Sequence, residues 1–157
     1  MNSEVTFLLR ALDEAFDRKS WHGTNLRGSL RGLSAAEAAW RPAPGRHSIR
    51  EIVVHCAYWK YAVWRRLTGA TRGSFPIDGS NWFERPPSRS MTAWRAERRL
   101  LEAMHQELRK AVANVDRRVL HRRLPGSKVT RFDLIAGVAA HDLYHAGQIQ
   151  LIKRLGR

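Results

Sequence analysis

One cysteine, Cys56, stands in 157 residues, so no internal disulfide can hold this chain, and a reducing compartment suits it. No apolar run approaches the roughly 18 residues of a membrane span, which argues against a membrane protein. Met1-Asn2-Ser3-Glu4-Val5 has no basic region ahead of an apolar stretch, so no secretory signal is read and the expected location is the cytoplasm. No strand-like alternation and no internal repeat is evident. Gly23, Gly28 and Gly32 lack the strand context of a phosphate-binding loop, and no Ser-His-Asp arrangement follows from spacing. Acidic residues are also scarce: 14 against 28 basic ones, a net charge of +14.

That charge invites a nucleic-acid reading. Five of the 28 basic residues are lysine, however, and an arginine majority can reflect coding bias as much as function. The basic pairs Arg65-Arg66, Arg98-Arg99, Arg117-Arg118 and Arg122-Arg123 fall in different segments, with no basic tail. A solvated basic surface with general attraction for anions is the simpler account. The apolar fraction of 43% with six tryptophans fits one globular domain, residues 1–157, with a real core.

Four long helical patterns emerge, and with them an all-α four-helix bundle. The first begins after Asn2 or Ser3 and carries Val5, Leu8, Leu9, Leu12 and Phe16, with a continuation or restart expected through Trp21, Leu26 and Leu30. A short helix from Ala35 to Trp40 follows Ser34, before Pro42, Pro44 and Gly45 break the chain. Ser48-Ile49-Arg50-Glu51 reads as a capping box that opens the second long helix, with Ile52, Cys56, Trp59, Val63 and Leu67 on its stripe. Gly69 lies just past its end. Residues 70–90, rich in glycine and proline, form a long loop between the second and third helices, and Trp82 and Phe83 suggest that part of it packs down. The third helix starts near Ser90 to Thr92 and the fourth is capped by Thr130, running to Leu155.

On that last helix Leu134, Val138, His141, His145, Ile149 and Ile152 share one face, so two imidazoles lie on a stripe that should be dry. A buried polar ring needs a hydrogen bond or a metal. Spacing of four puts His141 and His145 one above the other, within reach of one ion. His55 lies about 60° to the side of its own apolar stripe, where it can reach a neighbouring helix. Three neutral imidazoles with one open position are the ligand pattern of a catalytic rather than a structural zinc. A His-x-x-x-His pair alone is a weak signal, because exposed pairs arise by chance; burial and His55 strengthen it. The HExxH protease pattern does not apply, since Asp142 replaces its glutamate and no third histidine follows His145.

Asp142 could orient an imidazole, act as a base, or face a neighbouring helix or solvent. Gln148, one turn beyond His145, is the better candidate to hold a ligand from behind. Gly147 suggests close approach of another helix. His22, His105 and His121 read as surface residues, and His47 as a residue near one end of the bundle. Cys56 reads as packing, and Trp59, Trp64 and Trp94 as core or subunit-interface aromatics.

The stretch from Trp40 to His55, Trp-Arg-Pro-Ala-Pro-Gly-Arg-His-Ser-Ile-Arg-Glu-Ile-Val-Val-His, resembles the start of the second helix in the DinB-like superfamily of metal-dependent enzymes. His141-Asp-Leu-Tyr-His-Ala-Gly-Gln-Ile-Gln150 resembles that family's signature near its last helix. The resemblance spans nearly the whole chain, including Trp21-His22-Gly23 and the loop around Trp82. It implies a four-helix bundle, a homodimer, and a divalent metal held by His55, His141 and His145. Relatives that transfer or isomerise with bacillithiol, mycothiol or glutathione imply a low-molecular-weight thiol as co-substrate.

The expected function is therefore a metal-dependent transferase of such a thiol, or a hydrolase of a small-molecule substrate. Asp142 and Gln148 are the catalytic candidates beside the metal ligands. Three histidines suit zinc or nickel first, and also iron or copper. Loop 70–90 is expected over the site mouth, with Arg46 and Arg50 attracting an anionic carboxylate. The alternative is a basic helical module that contacts nucleic acid, its metal structural or vestigial.

Overall fold

Local signals at the helix ends account for most of the element boundaries in the computed structural model, which describes residues 3–156. The elements are α1 (Ser3–Phe16), α2 (Leu26–Ser29), α3 (Ala35–Ala39), α4 (Ile49–Thr68), α5 (Met91–Ala113), α6 (Arg117–Leu120) and α7 (Arg131–Leu155). The start of α4 is a full capping box: the Ser48 hydroxyl accepts from the Glu51 N–H, and the Glu51 carboxylate accepts from the Ser48 N–H. Thr130 with Asp133 does the same for α7, and Ser34 with Glu37 for α3. Gly69 ends α4 at φ 74°, a left-handed cap that a Cβ would strain. The expected cap of α1 at Asn2 lies outside the described residues.

The four long helices form a closed ring. α4 packs against α5 and α7, and α1 packs against the same two, so α1 and α4 are diagonal. The fold is the expected all-α bundle, with α2, α3 and α6 as short additions. α1 does not run on through Trp21, which is fully exposed; it stops at Phe16, and the helix restarts as the short α2, with Leu26 and Leu30 buried. No helix among the described residues is long and apolar enough to cross a membrane.

The core divides into two apolar clusters. One gathers Phe16, Leu26, Ile52, Cys56, Trp94, Leu101 and Ile149; the other gathers Leu8, Leu12, Val63, Leu108, Val112, Ile135 and Val138. Between them, Lys60, His105 and Asp142 form a polar waist, all essentially without solvent contact. Lys60 donates to a carboxylate oxygen of Asp142 and to His105 Nδ1 at 3.4 Å, while the His105 ring stacks on Phe16 at 3.8 Å. A buried ion pair is costly to desolvate and survives only with good partners. His105 is therefore not the surface residue its polar neighbours suggested. Its position, three before Leu108 and four after Leu101, places it on the inner stripe of α5.

Residues 70–90 contain no helix and lie against α4. Phe75 packs against Tyr58, Tyr61 and Phe83, with ring centroids 5.3–5.4 Å apart. The far end of the segment is tied down by Arg50. Its guanidinium forms a bidentate pair with Glu97, at 2.7 and 2.6 Å, and donates to the carbonyls of Pro86 and Ser88. Arg50 is 1% exposed, so the expectation that it attracts a substrate anion is wrong. It fastens α4, α5 and the incoming chain together.

Candidate metal centre

α4 contributes His55 and α7 contributes His141 and His145, and the ring packing of those two helices brings the three imidazoles together. His55 Nε2 and His145 Nε2 each lie 3.1 Å from His141 Nε2. Two nitrogens bound tetrahedrally to one zinc at about 2.0–2.1 Å stand about 3.4 Å apart, so the spacing is within a few tenths of an ångström of a ligand set.

The outer nitrogens settle which protons are present. His55 Nδ1 lies 2.7 Å from the carbonyl of Asn81, which can only accept, so Nδ1 carries the proton and Nε2 a lone pair. His145 Nδ1 lies 2.7 Å from Gln148 Oε1, and Gln148 Nε2 donates to the Tyr144 hydroxyl at 3.1 Å; with the amide in this orientation His145 Nδ1 donates and its Nε2 carries a lone pair. Two lone pairs thus point at His141 Nε2, and one N–H there could satisfy only one of them. The donor set fits a cation. Protonation of the rings is disfavoured: burial, reinforced by the neighbouring histidines, pushes His141 down to about 3 and His145 to about 4. Burial also lowers His55, against the carbonyl of Asn81. Neutral imidazole is the form that binds metal.

Three aromatic rings fix this geometry. Trp82 stacks on His55 at 3.8 Å, and its opposite side stacks on His47 at 3.7 Å. His47 thus reaches the centre through Trp82. Trp59 stands edge-on to His55 and His141, at 6.4 and 6.3 Å, and donates its indole N–H to Asn81 Oδ1 at 3.0 Å. Trp59 is therefore a wall of the centre, whereas Trp94 is a core residue bonded to the Leu33 carbonyl.

Asn81 was not foreseen. It adopts φ 62° and binds His55 through its backbone and Trp59 through its side chain. Asparagine tolerates the left-handed region, and Gly79-Ser80-Asn81 is a turn-like run, but nothing local names the helix it meets.

Asp142 faces the waist, where it is bound by Lys60, and its second oxygen and His141 Nδ1 are both buried without a hydrogen-bond partner among the described residues. Burial raises its carboxyl while Lys60 pulls it back down. Cys56, His141 and Asp142 also lie close enough to one another to form a ligand group. There the Lys60 ammonium already supplies the cation, and burial raises the Cys56 thiol well above its usual range. Cys56 packs, as expected.

Gly147 is exposed, and a Cβ there would meet nothing within 4 Å, so it admits no close helix. Arg46 is exposed on the wall of a cavity of about 260 Å³ that it shares with His47, Trp82 and Gln148. His22 and His121 are exposed, as anticipated.

No curated protein and no solved structure matches the chain. Residues 18–149 match the DinB superfamily, a span that contains all three histidines and every long helix but α1 in full or large part. The chain belongs to the DinB superfamily.

Proposed function

We propose that this protein is an enzyme in which His55, His141 and His145 hold one divalent metal ion, zinc or nickel, and that it transfers a low-molecular-weight thiol to a small electrophile. The observation that carries this reading is the meeting of three neutral imidazoles at 3.1 Å with two Nε2 lone pairs pointing inward. Three protein ligands leave one position for a reactant. A bound divalent ion supplies Lewis-acid activation, lowering the pKa of a thiol or water at that position.

The chain's own residues then do the positioning. The Asn81 carbonyl and Gln148 keep the Nε2 atoms of His55 and His145 turned inward. Trp59 and Trp82 exclude water from two sides. Asp142, with Lys60, places a charge pair behind His141. In the transfer a sulfur–carbon bond forms, the electrophile's leaving group departs with its electron pair, and the thiol proton passes to solvent. Hydrolysis of a small substrate, with water in the thiol's place, is the other reaction of this class. A homodimer is part of the same reading, supported by exposed Tyr144, Leu151 and Leu155 on α7. So is a cytoplasmic location.

The test begins with metal content. Wild-type protein is expected to hold one ion per chain, and His141→Ala and His145→Ala to lose it; undiminished stoichiometric metal in both variants overturns the ligand assignment. Glutathione, mycothiol and bacillithiol are then offered with a chloronitroarene, and chloride release is followed. Metal-dependent release with one thiol supports transfer. Metal-dependent cleavage of model esters without thiol selects hydrolysis, and the absence of both activities refutes the proposal.

A further inference from the structure

Two of the three histidines are held from behind by an acceptor. The Nδ1–H of His55 has the Asn81 carbonyl and that of His145 has Gln148 Oε1, both at 2.7 Å. His141 Nδ1 is buried with no hydrogen-bond partner among the described residues. For His141 to turn a lone pair inward with the other two, its proton must sit on Nδ1, and a buried N–H without an acceptor is costly.

The complementary atom belongs to the next residue. Asp142 Oδ1 is also buried without a partner among the described residues, an acceptor where His141 needs one. Lys60 does not serve it: the ammonium donates to Oδ2 of the same carboxylate and to His105 Nδ1, and lies over the Phe16 ring, 5.0 Å from its centroid. Phe16, Lys60, His105 and Asp142 come from α1, α4, α5 and α7, so the carboxylate is oriented from outside its own helix. Adjacent residues of a helix stand about 100° apart, too far round for a direct bond between their side chains. One atom between them is enough. A nitrogen of His141, an oxygen of Asp142 and Cys56 Sγ lie within 4.8 Å of one another. Two hydrogen bonds of about 2.8 Å, meeting at the tetrahedral angle of a water, span about 4.6 Å. A water there has Oδ1, Nδ1 and Sγ as neighbours, about the usual number for a buried one.

We propose that Asp142, oriented by Lys60, is the positioning residue of His141: through one internal water beside Cys56, its Oδ1 holds the imidazole proton on Nδ1 and leaves Nε2 free to bind. The assignment rests on the proposed function for the metal but not for the tautomer. The polar waist thereby becomes the third outer support of the centre, after Asn81 and Gln148. In metal-free protein the opposite tautomer competes, because an Nε2–H can donate to His55 or His145 across 3.1 Å. A hydrogen bond to a carboxylate is roughly twice as strong as a neutral one and polarises the water that makes it, which favours Nδ1. Asp142→Asn keeps the shape and reverses the polarity. Lys60 can only donate, so it takes the amide oxygen and turns the amide N–H to the water. The water then donates to Nδ1, and the proton of His141 moves to Nε2, where it opposes a cation.

The test follows His141 by long-range 1H–15N NMR in metal-free protein at about pH 8, above the ordinary imidazole range, with its signals identified by their loss in His141→Ala. Wild type is expected to be mainly the Nδ1–H tautomer and Asp142→Asn mainly Nε2–H. Zinc affinity of Asp142→Asn, read by competition with a chelator, is expected to fall about 10–100-fold. Lys60→Met/Asp142→Leu removes the acceptor together with both charges and is expected to show the same switch, which keeps the test open should Asp142→Asn not fold. Cys56→Ala is expected to keep the wild-type tautomer. Nε2–H in wild type, or an Nδ1–H that both Asp142 variants leave in place, overturns the proposal. A switch in Cys56→Ala and in neither Asp142 variant overturns it in favour of the thiol. Zinc affinity within about twofold of wild type in a variant that has switched also overturns it. The switch in a protein that takes up no zinc supports the role of Asp142 and refutes only the metal reading.

Discussion

Lys60→Met tests the polar waist. The Lys60 ammonium and Asp142 carboxylate are both fully buried, and among the described residues one oxygen of Asp142 lacks a partner and Lys60 is its only counter-charge. Removing one member of a buried pair costs about 3–5 kcal/mol, because the survivor is stranded. Loss of the contact to His105 Nδ1, at 3.4 Å, adds a further cost of about 1 kcal/mol or less. A total of roughly 3–6 kcal/mol is a large part of the 5–15 kcal/mol typical of a domain. With an m-value of about 2 kcal/mol/M, the urea midpoint should fall by about 2 M. Lys60→Met/Asp142→Leu removes both charges and should recover at least half of that loss. The assay is urea denaturation followed by circular dichroism on metal-free protein. A single variant within about 1 kcal/mol of wild type, or a double variant less stable than either single one, refutes the reasoning.

Burial lowers His105 to about 2, with Lys60 and Arg109 adding to the effect, whereas the unfolded chain titrates near 6.5. The unfolded state therefore binds the extra proton, so this contribution is complete above pH 6.5 and is lost as pH falls toward 2, at about 1.4 kcal/mol per pH unit. His105→Gln should remove that one proton's worth of slope between pH 6.5 and 5 in metal-free protein; an unchanged slope refutes the assignment. Gln148→Leu removes the acceptor at 2.7 Å from His145 Nδ1 and should weaken zinc binding about 10–100-fold in a competition with a chromophoric chelator. Zinc affinity within twofold of wild type would show that Gln148 does not hold the ligand.

The helices were legible because their causes are local. Ser48 with Glu51, Thr130 with Asp133, and Gly69 act over three residues or fewer, and the structure has each of these caps. The histidine pair on α7 was legible for the same reason, since one helical turn sets its spacing. His105 was misread because polar neighbours in sequence say little about which stripe of a helix turns inward. Arg50 was misread because its partners, Glu97 and the carbonyls of Pro86 and Ser88, lie 36–47 residues away.

Local chemistry in the sequence thus determined an all-α chain, the limits of its long helices and the two donors one turn apart. Tertiary structure alone decided that His55 meets His141 across 86 residues, that Asn81 and Trp82 hold His55 in place, and that Asp142 turns toward Lys60. Helix formation is governed by neighbours within a turn. The choice of partner is governed by which helices share the buried interior, and that emerges only when the ring of four closes.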